Sequence, residues 1–304
     1  MSDMTDSAKI RVGVEICSSA LRAVSIDADG KLALTRTLLF GAEPVLSQFT
    51  ALINDLRKDL GDFDRIGVAV PGLVDRGTNR VTFSAHIPEH SNVDLVKEIE
   101  AATDLKVTIE NDANAAAYGE YKLGAGRGSR NLFYATLGEG VGGAFIFGGE
   151  IWRGASGFAG EFGYVPINSE GMRLEEVAST YNIVMRTRSR FHQDSTSSLN
   201  KLAEEEITID AIIAAAREDD DFAQMMLERT GVYVGTAIAT VINLLNMEKI
   251  VVGGEIMEAK SLVLDAIIER ARELSFAPSF DAATIVEGEL GEYAAAAGAA
   301  LLAV

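Results

Sequence analysis

The chain repeats one pattern of secondary structure, a run of adjacent strands followed by alternating helices and strands. In its first part the order is β-β-β-α-β-α-β-α, which predicts an α/β layered domain. The turn Asp27-Ala28-Asp29-Gly30 separates the second strand from the third. The strands are predicted at 10–15, 21–26, 31–39, 65–70 and 107–110, and the helices at 44–60, 93–103 and 113–123.

After the glycine-rich break at 124–129, a second pair of strands begins a similar order. Strands are predicted at 131–137, 143–147, 249–252 and 284–286. Helices are predicted over most of 174–245, from the residues after Gly254 to about Leu274, and over 293–304. Acidic clusters at 204–206 and 218–221 are expected at solvated helix ends. We therefore predict an N-terminal lobe of residues 1–123, with the helix 293–304 packing back on it, and a C-terminal lobe of residues 124–292.

Charge and cysteine content exclude several classes of protein. The chain has 45 acidic and 27 basic residues and a net charge of −18, which opposes binding to nucleic acid or anionic membranes. Its one cysteine, Cys17, cannot form an internal disulfide or a cysteine-rich zinc site. The polar N-terminus does not resemble a signal peptide, and no apolar run reaches the roughly 18–20 residues that span a bilayer. A cytoplasmic protein is expected.

A strand-to-helix junction carries the first candidate chemistry. Asn111, Asp112 and Asn114 crowd together after the buried strand at 107–110. Asn and Asp are the preferred residues for capping a helix N-terminus. The carboxyl end of a strand in an α/β sheet is also where ligands bind, and a carboxylate there could take a proton from an alcohol. Both interpretations remain open.

Two glycine-rich loops and one mixed loop follow. Gly138-Glu139-Gly140-Val141-Gly142-Gly143 could hold an anion on its backbone N–H groups or form a hairpin that needs positive φ. Gly253-Gly254 could admit a phosphate or pack closely against the next helix. The carboxylate of Glu161 and the phenol of Tyr164 suit sugar hydroxyls, with Glu175 nearby, although both acids could simply be solvated or sit at a helix start.

These motifs occur in an order that resembles the ROK family of repressors, open reading frames and sugar kinases. The resemblance covers nearly the whole chain. It rests on Gly13-Val14-Glu15 with Arg22, Val70-Pro71-Gly72, Glu110-Asn111-Asp112-Ala113-Asn114-Ala115, the loop 138–143, Gly160-Glu161-Phe162-Gly163, Leu174-Glu175 and Val252-Gly253-Gly254. It implies a two-lobed actin-like ATPase (ribonuclease H-like) fold of the α/β class, with a cleft between the lobes.

The resemblance also implies roles for individual residues. Asp112 would be the general base that deprotonates a sugar hydroxyl, usually the 6-OH, for attack on the γ-phosphate of ATP. The sugar would contact Gly72, Asn111, Glu161, Tyr164 and Glu175. The nucleotide would contact Gly13, Glu15, Ser18, Ser19, Gly138, Glu139, Gly140, Gly142, Gly253 and Gly254. Glu15 would hold Mg²⁺ through a water molecule.

Departures from the family pattern fall mainly on the nucleotide side. Cys17 and Ser18 stand where the family has glycines, whose φ angles they would disfavour, and Glu139 replaces a threonine near the phosphates. Both ATP and Mg²⁺ binding are therefore in question. Tyr164 replaces a histidine of the family's zinc motif, and residues 165–173 contain no cysteine, so no structural zinc is expected.

We therefore predict an ATP-dependent hexose kinase, for glucose or an N-acetylhexosamine-type sugar. The alternative is a sugar-binding sensor of the same family that has lost kinase activity through its degenerate phosphate loop. An actin-like structural ATPase would leave the sugar-side residues without a purpose. About nine residues precede the first strand, too few for the DNA-binding domain of the family's repressors. The family resemblance also implies a homodimer.

Overall fold

The computed structural model describes residues 10–75, 78, 80–83 and 94–303. The polar segment 1–9, residue 93 of the predicted helix 93–103 and residue 304 of the predicted helix 293–304 lie outside this range. The strands are β1 (Arg11–Ile16), β2 (Ala20–Ile26), β3 (Leu32–Leu39), β4 (Arg65–Val70), β5 (Leu73–Asp75), β6 (Arg80–Phe83), β7 (Lys106–Asn111), β8 (Leu132–Leu137), β9 (Val141–Phe147), β10 (Glu150–Trp152), β11 (Lys249–Gly253) and β12 (Thr284–Glu287). The α-helices are α1 (Val45–Leu60), α2 (Leu95–Thr103), α3 (Asp112–Leu123), α4 (Glu175–Ala178), α5 (Thr180–Arg188), α6 (Ile209–Arg217), α7 (Asp221–Leu245), α8 (Ser261–Leu274), α9 (Ala277–Asp281) and α10 (Ala294–Leu302).

The described residues divide into two compact units. The first unit contains the residues before 129, the segment 149–159 and the residues from 292 onward. The second unit contains 129–148 and 160–291. The segment 149–159, which includes β10, thus belongs to the first unit although it lies between two stretches of the second. The lobes proposed from the sequence, 1–123 and 124–292, did not anticipate this exchange.

Each unit is built on a sheet with the same strand arrangement. In the first unit the order is β3-β2-β1-β4-β7, with β1 antiparallel to β2 and parallel to β4. In the second unit the order β9-β8-β11-β12 repeats this plan, with β8 antiparallel to β9 and parallel to β11. The predicted α/β class is therefore confirmed, and the shared topology agrees with an internally duplicated chain. A two-stranded sheet of β5 and β6 was not predicted from the sequence.

The small residues of α10 allow it to lie directly on the first sheet. A Cβ atom on Gly67 of β4 would stand 1.8 Å from the carbonyl oxygen of Ala299, and one on Gly13 of β1 would stand 2.1 Å from that of Ala296. Because real side chains cannot come this close, both strand positions must be glycine for the helix to pack here. Gly298 of α10 likewise lies against the carbonyl of Ala115 in α3.

Strand and helix boundaries agree with the sequence patterns to within a few residues. Within the cluster 218–221, Glu218, Asp219 and Asp221 are exposed at helix ends as predicted, but the prediction is wrong for Asp220. Asp220 is 8% exposed, and its Oδ1 accepts a hydrogen bond of 3.0 Å from the N–H of Ala223 at the start of α7. Its Oδ2 accepts from the hydroxyls of Ser197 and Ser198 at 2.9 and 2.7 Å. Asp220 is therefore buried because it caps the N-terminus of α7. No helix within the described ranges is long and apolar enough to cross a membrane.

Candidate functional site

The junction between β7 and α3 holds Asp112 in one orientation. Asn111, the last residue of β7, caps α3 because its Oδ1 accepts a 3.0 Å hydrogen bond from the N–H of Asn114. Its Nδ2 donates to the carbonyl of Gly72 at 3.0 Å and to Oδ1 of Asp112 at 2.9 Å. The same Oδ1 accepts from the N–H of Ala113 at 2.8 Å. Asn111 thus serves both as the cap and as a support for Asp112.

Sheet register explains why Gly72 and Asn111 meet. β4 and β7 are parallel neighbours, with Val70 opposite Asn111, so Gly72 follows at the same edge of the sheet. Gly72 has φ of 117°, which favours glycine and turns its carbonyl toward the Asn111 amide. Gly72, Asn111 and Asp112 were all predicted from the sequence, and they lie together. A half-buried carboxylate with fixed donors on one oxygen has the preorganisation that proton abstraction requires.

A buried network beneath this junction was not predicted. Glu110 is only 3% exposed, and its Oε1 accepts from the backbone N–H of Asn111 and the side-chain amide of Asn114, each at 3.1 Å. Its Oε2 accepts from Nη2 of Arg153 at 2.5 Å. The available signal was an acidic residue directly after the buried strand positions 107–109, where a charge needs a partner. Its partner lies 43 positions later in the chain, so the sequence pattern could not identify it.

The hairpin between β1 and β2 forms a second cluster in the first unit. Oε2 of Glu15 lies 3.6 Å from Nη1 of Arg22, and the Glu15 side chain is 15% exposed. That oxygen has no hydrogen-bond partner among the residues the structure describes. Burial raises the pKa of Glu15 to about 7; Arg22 opposes this shift, and the negative charge of Asp112 adds to it. Glu15 is thus an electrostatic neighbour of Asp112.

The expected strain at Cys17 and Ser18 is not found. Neither residue has a positive φ, so side chains at these positions are compatible with the backbone of this turn. The N–H of Cys17 donates to the carbonyl of Ala20 at 2.9 Å, and its Sγ accepts from Arg22 Nη1 at 3.1 Å. Burial, with the nearby charge of Glu15, raises the pKa of the Cys17 thiol above its ordinary value. Ser18 and Ser19 are exposed at the tip of the turn.

The surroundings of Gly13 do not match those expected of a residue that contacts a nucleotide. Its missing side chain makes room for α10, as described above, rather than for an open approach to the backbone. The glycine at this position is therefore required by packing. A contact between Gly13 and a nucleotide remains a prediction.

The glycine loop of the second unit connects β8 to β9. None of its glycines from 138 to 143 has a positive φ, so the hairpin explanation based on left-handed backbone is wrong. The N–H of Gly138 donates to the carbonyl of Gly140 at 3.0 Å, and the N–H of Val141 donates to Oε2 of Glu175 at 3.0 Å. Two N–H groups of the proposed anion nest are thus already bonded. Glu139 is exposed, and Gly142 is half-buried.

The predicted sugar-side residues of the second unit occupy one continuous stretch. Glu161 is exposed and precedes a short 3₁₀ turn, Phe162–Tyr164. Tyr164 is 56% exposed, and the guanidinium of Arg173 lies 4.5 Å from its ring centroid. Glu175 is half-buried at the first position of α4. The structure therefore links Glu175 to the glycine loop through Val141 and leaves Glu161 and Tyr164 accessible at the surface of this unit.

Close packing explains the glycine pair after β11. A Cβ on Gly253 would stand 2.3 Å from Oη of Tyr134, and one on Gly254 would stand 2.3 Å from the carbonyl oxygen of Leu137. Gly254 also has φ of 95°, a conformation that favours glycine. These contacts support the packing alternative for both positions, and a role in nucleotide binding remains a prediction.

Comparison with known proteins agrees with this arrangement. The model of the ROK family matches residues 11–304. A glucokinase of Thermotoga maritima is 31% identical over 303 residues, which cover 95% of each chain, and a glucokinase of Streptomyces coelicolor is 28% identical over 310 residues, or 97% of each. The structure of a ROK family glucokinase from Streptomyces griseus, in complex with glucose and AMPPNP, superposes with a TM-score of 0.87 at 28% identity, covering 97% of this chain and 99% of that one. The chain belongs to the ROK family.

Proposed function

We propose that the protein is an ATP-dependent hexose kinase that phosphorylates a sugar hydroxyl, the 6-OH. The observation that carries this proposal is the carboxylate of Asp112, held by Asn111 at the carboxyl end of β7. Glucokinases that cover nearly the whole chain support ATP and a hexose as its substrates. Glucose is the first sugar to test, and an N-acetylhexosamine-type sugar is the second.

Asp112 accepts the proton of the reacting hydroxyl in the proposed reaction. The hydroxyl oxygen then forms a bond to the γ-phosphorus of ATP while the bond from that phosphorus to the ADP oxygen breaks. The amide of Asn111 and the N–H of Ala113 keep Oδ1 of Asp112 in place, so the carboxylate needs no reorganisation when the substrate arrives. Gly72 anchors the same amide from the other side.

The residues of this chain fit a magnesium ion that accompanies ATP. The buried Oε2 of Glu15 is an acceptor without a hydrogen-bond partner among the described residues, and carboxylate oxygen is a ligand type that Mg²⁺ and its bound water prefer. Glu15 would hold a metal-bound water, and Arg22 at 3.6 Å would orient the Glu15 carboxylate. The ion neutralises phosphate charge when it is bound.

The sugar contacts of the second unit are proposed for Glu161, Tyr164 and Glu175. Exposed carboxylate and phenol groups can accept from and donate to sugar hydroxyls. Glu175 has a second task in this proposal, because its bond to Val141 supports the loop 138–143 for phosphate. Ser18, Ser19, Gly138, Glu139, Gly140 and Gly142 complete the proposed nucleotide side.

The sensor without kinase activity is not retained as a second function. Its main support was the expected strain at Cys17 and Ser18, which the φ angles of these residues do not show. Glu139 is exposed, so water and dissolved ions screen its charge.

The test of the proposal is ADP release measured with glucose and ATP–Mg²⁺ for the wild type and Asp112→Asn. Loss of a general base lowers kcat by about 10²–10⁴-fold. The asparagine keeps the size of the side chain, so KM for ATP should be nearly unchanged. Asp55→Asn is the matched control, since it removes an exposed carboxylate of the same unit that pairs with Lys58. An Asp112→Asn enzyme as fast as the wild type would remove Asp112 from its role.

The same proposal includes a cytoplasmic homodimer without structural zinc. The single cysteine supports a reducing compartment. Leu244 at the end of α7 is 76% exposed and Phe276 after α8 is 68% exposed, which supports an apolar contact with a second copy. The backbone pairing of Pro166 with Arg173 supports a loop 165–173 that holds its shape without metal. Light scattering and metal analysis of the purified protein test these points.

A further inference from the structure

The ion pair between Glu110 and Arg153 has no role in the reaction proposed above. Glu110 is 3% exposed and the Arg153 side chain is 25% exposed. A buried carboxylate is unfavourable unless it is paired and its lone pairs are hydrogen-bonded. Here the two oxygens of Glu110 accept one bond from Arg153 and two from the junction that carries Asp112.

The network leads from this ion pair to Asp112 in a small number of steps. Glu110 fixes the backbone N–H of Asn111 and the side chain of Asn114. Asn111 in turn caps α3 and donates to Oδ1 of Asp112. Glu110 thus contacts Asn111 through its backbone N–H and also holds Asn114, whose own N–H is bonded to the Asn111 side chain.

Arg153 connects a separate segment of the chain to this network. It follows β10 in the segment 149–159, which is grouped with the first unit although its neighbours in sequence are not. The carbonyl of Arg153 accepts from the N–H of Ala159 at 3.1 Å, which closes the segment into a compact loop. A Cβ on Gly157 of that loop would lie 3.9 Å from the carbonyl oxygen of Val74 in β5. The loop therefore packs beside the strand that follows Gly72.

The shape of the arginine side chain matters for this connection. Nη2 donates to Glu110 at 2.5 Å, and Nη1 donates to the carbonyl of Ile151 at 3.3 Å. A guanidinium can make both bonds at once, whereas the ammonium group of a lysine is a single point charge. Lysine at this position would keep the charge near Glu110 and lose the second bond.

We propose that Arg153 and Glu110 are positioning residues that hold the segment 149–159 against the β7–α3 junction and keep Asp112 oriented for proton abstraction. This inference rests on the proposed kinase function. It assigns a role in the reaction to a part of the chain outside the residues that contact sugar or nucleotide.

The test is a double-mutant cycle on kcat with Arg153→Met and Asp112→Asn. Misplacing a catalytic group by about 1 Å can lower the rate about 10²-fold, so Arg153→Met should lower kcat by roughly 10–10²-fold with KM for ATP nearly unchanged. In the Asp112→Asn background the same substitution should cause no further loss, because residues that act as a unit are non-additive. An equal loss in both backgrounds would show a general structural effect and overturn the inference.

Two further variants keep the test decisive if Arg153→Met folds poorly. Glu110→Gln keeps the size of the side chain but removes the charge that pairs with Arg153, and it should reproduce the same non-additive loss. Arg153→Lys should recover part of the kcat lost in Arg153→Met, and no recovery would contradict the ion pair as the cause. Arg36→Met is the matched control, because it removes an exposed ion pair with Asp59 in the same unit and should leave kcat unchanged.

Failure of the inference can be separated from failure of the proposed function. A wild-type protein without phosphoryl transfer would refute the kinase function. In that event the same cycle is measured on glucose affinity by calorimetry, which needs no turnover. Loss of affinity on Arg153→Met that disappears in the Asp112→Asn background would show that the ion pair positions Asp112 toward the bound sugar, and an additive loss overturns that positioning.

Discussion

Replacing Glu15 with glutamine should stabilise the protein at alkaline pH. The buried carboxyl group of Glu15 has a pKa of about 7, compared with 4.5 for an unperturbed side chain. The folded state therefore binds the Glu15 proton more tightly than the unfolded state does. For such a group the stabilising contribution is complete below pH 4.5 and is lost as the pH rises through about 7. Glutamine is neutral throughout, so the variant avoids this loss.

The raised pKa sets the size of the effect. A shift from 4.5 to about 7 corresponds to a loss of about 3 kcal/mol in the free energy of unfolding at high pH. Arg22 does not cancel this penalty, because its distance to Glu15 is 3.6 Å and it also pairs with Glu292 at 3.0 Å. About 2 kcal/mol of the loss should develop between pH 5.5 and 8.5, a range above the sequence pI of about 4.6.

The assay is thermal unfolding of the wild type and Glu15→Gln, without metal or nucleotide, at several pH values. The difference in Tm should grow by several degrees in favour of the variant between pH 5.5 and 8.5. Glu292→Gln is the control, because it removes a carboxylate that is 52% exposed and contacts the same arginine. A Tm difference that stays constant with pH, or a variant that is less stable at pH 8.5, would show that the Arg22 pair outweighs burial.

Two other predictions concern packing and the glycine loop. Gly67→Ala should lower the free energy of unfolding by about 1–3 kcal/mol or more, because its Cβ would stand 1.8 Å from the carbonyl oxygen of Ala299. Gly41→Ala is the control: its Cβ would have no atom nearer than 3.9 Å, so the free energy of unfolding should change by less than about 0.5 kcal/mol. Equal effects of the two substitutions in chemical denaturation would contradict the packing of α10. Glu175→Ala should raise KM for ATP as well as for the sugar, because it removes the acceptor of the Val141 N–H. Glu175→Gln should keep much of the hydrogen bond to Val141 and therefore have a smaller effect. If steady-state kinetics of Glu175→Ala show an unchanged KM for ATP, Glu175 does not support the loop.

The β7–α3 junction shows how much of the site could be predicted from sequence. The buried strand, the capping residue Asn111 and the following carboxylate of Asp112 are all local. The bonds of Asn111 to Asp112 and Asn114 span at most three positions, whereas its bond to Gly72 joins distant parts of the chain. The motif order added the family and the expected base. The strand and the cap could be predicted from local composition and spacing, whereas the role of Asp112 as the base follows from the resemblance to the family.

Contacts between distant parts of the chain could not be predicted in the same way. Gly13 was expected at a nucleotide, but its packing partner is Ala296 in α10, near the other end of the chain. Arg153 contributes to the network of Asp112 from 43 residues away from Glu110, within a loop that showed no recognisable motif. Only the fold decides which distant backbone fills the space beside a glycine or supplies the partner of a buried charge.

The φ angles corrected a further expectation. The resemblance to the family, which has glycines at these positions, implies that Cys17 and Ser18 would strain the loop. In the structure, the turn between β1 and β2 needs no positive φ at either position, and Cys17 instead contacts Arg22 at 3.1 Å. The local backbone of the turn thus accommodates these two departures from the family motif, and the departures by themselves do not show loss of function.

The most direct test of the proposed function is to follow product formation from glucose and ATP–Mg²⁺ by phosphorus NMR. The wild-type protein should form a sugar phosphate ester at the 6-position and one ADP for each ester. Asp112→Asn should form this product at least about 10²-fold more slowly, while Asp55→Asn should not be slowed. Glucose binding without any ester, or ADP formed without sugar phosphate, would contradict a hexose kinase.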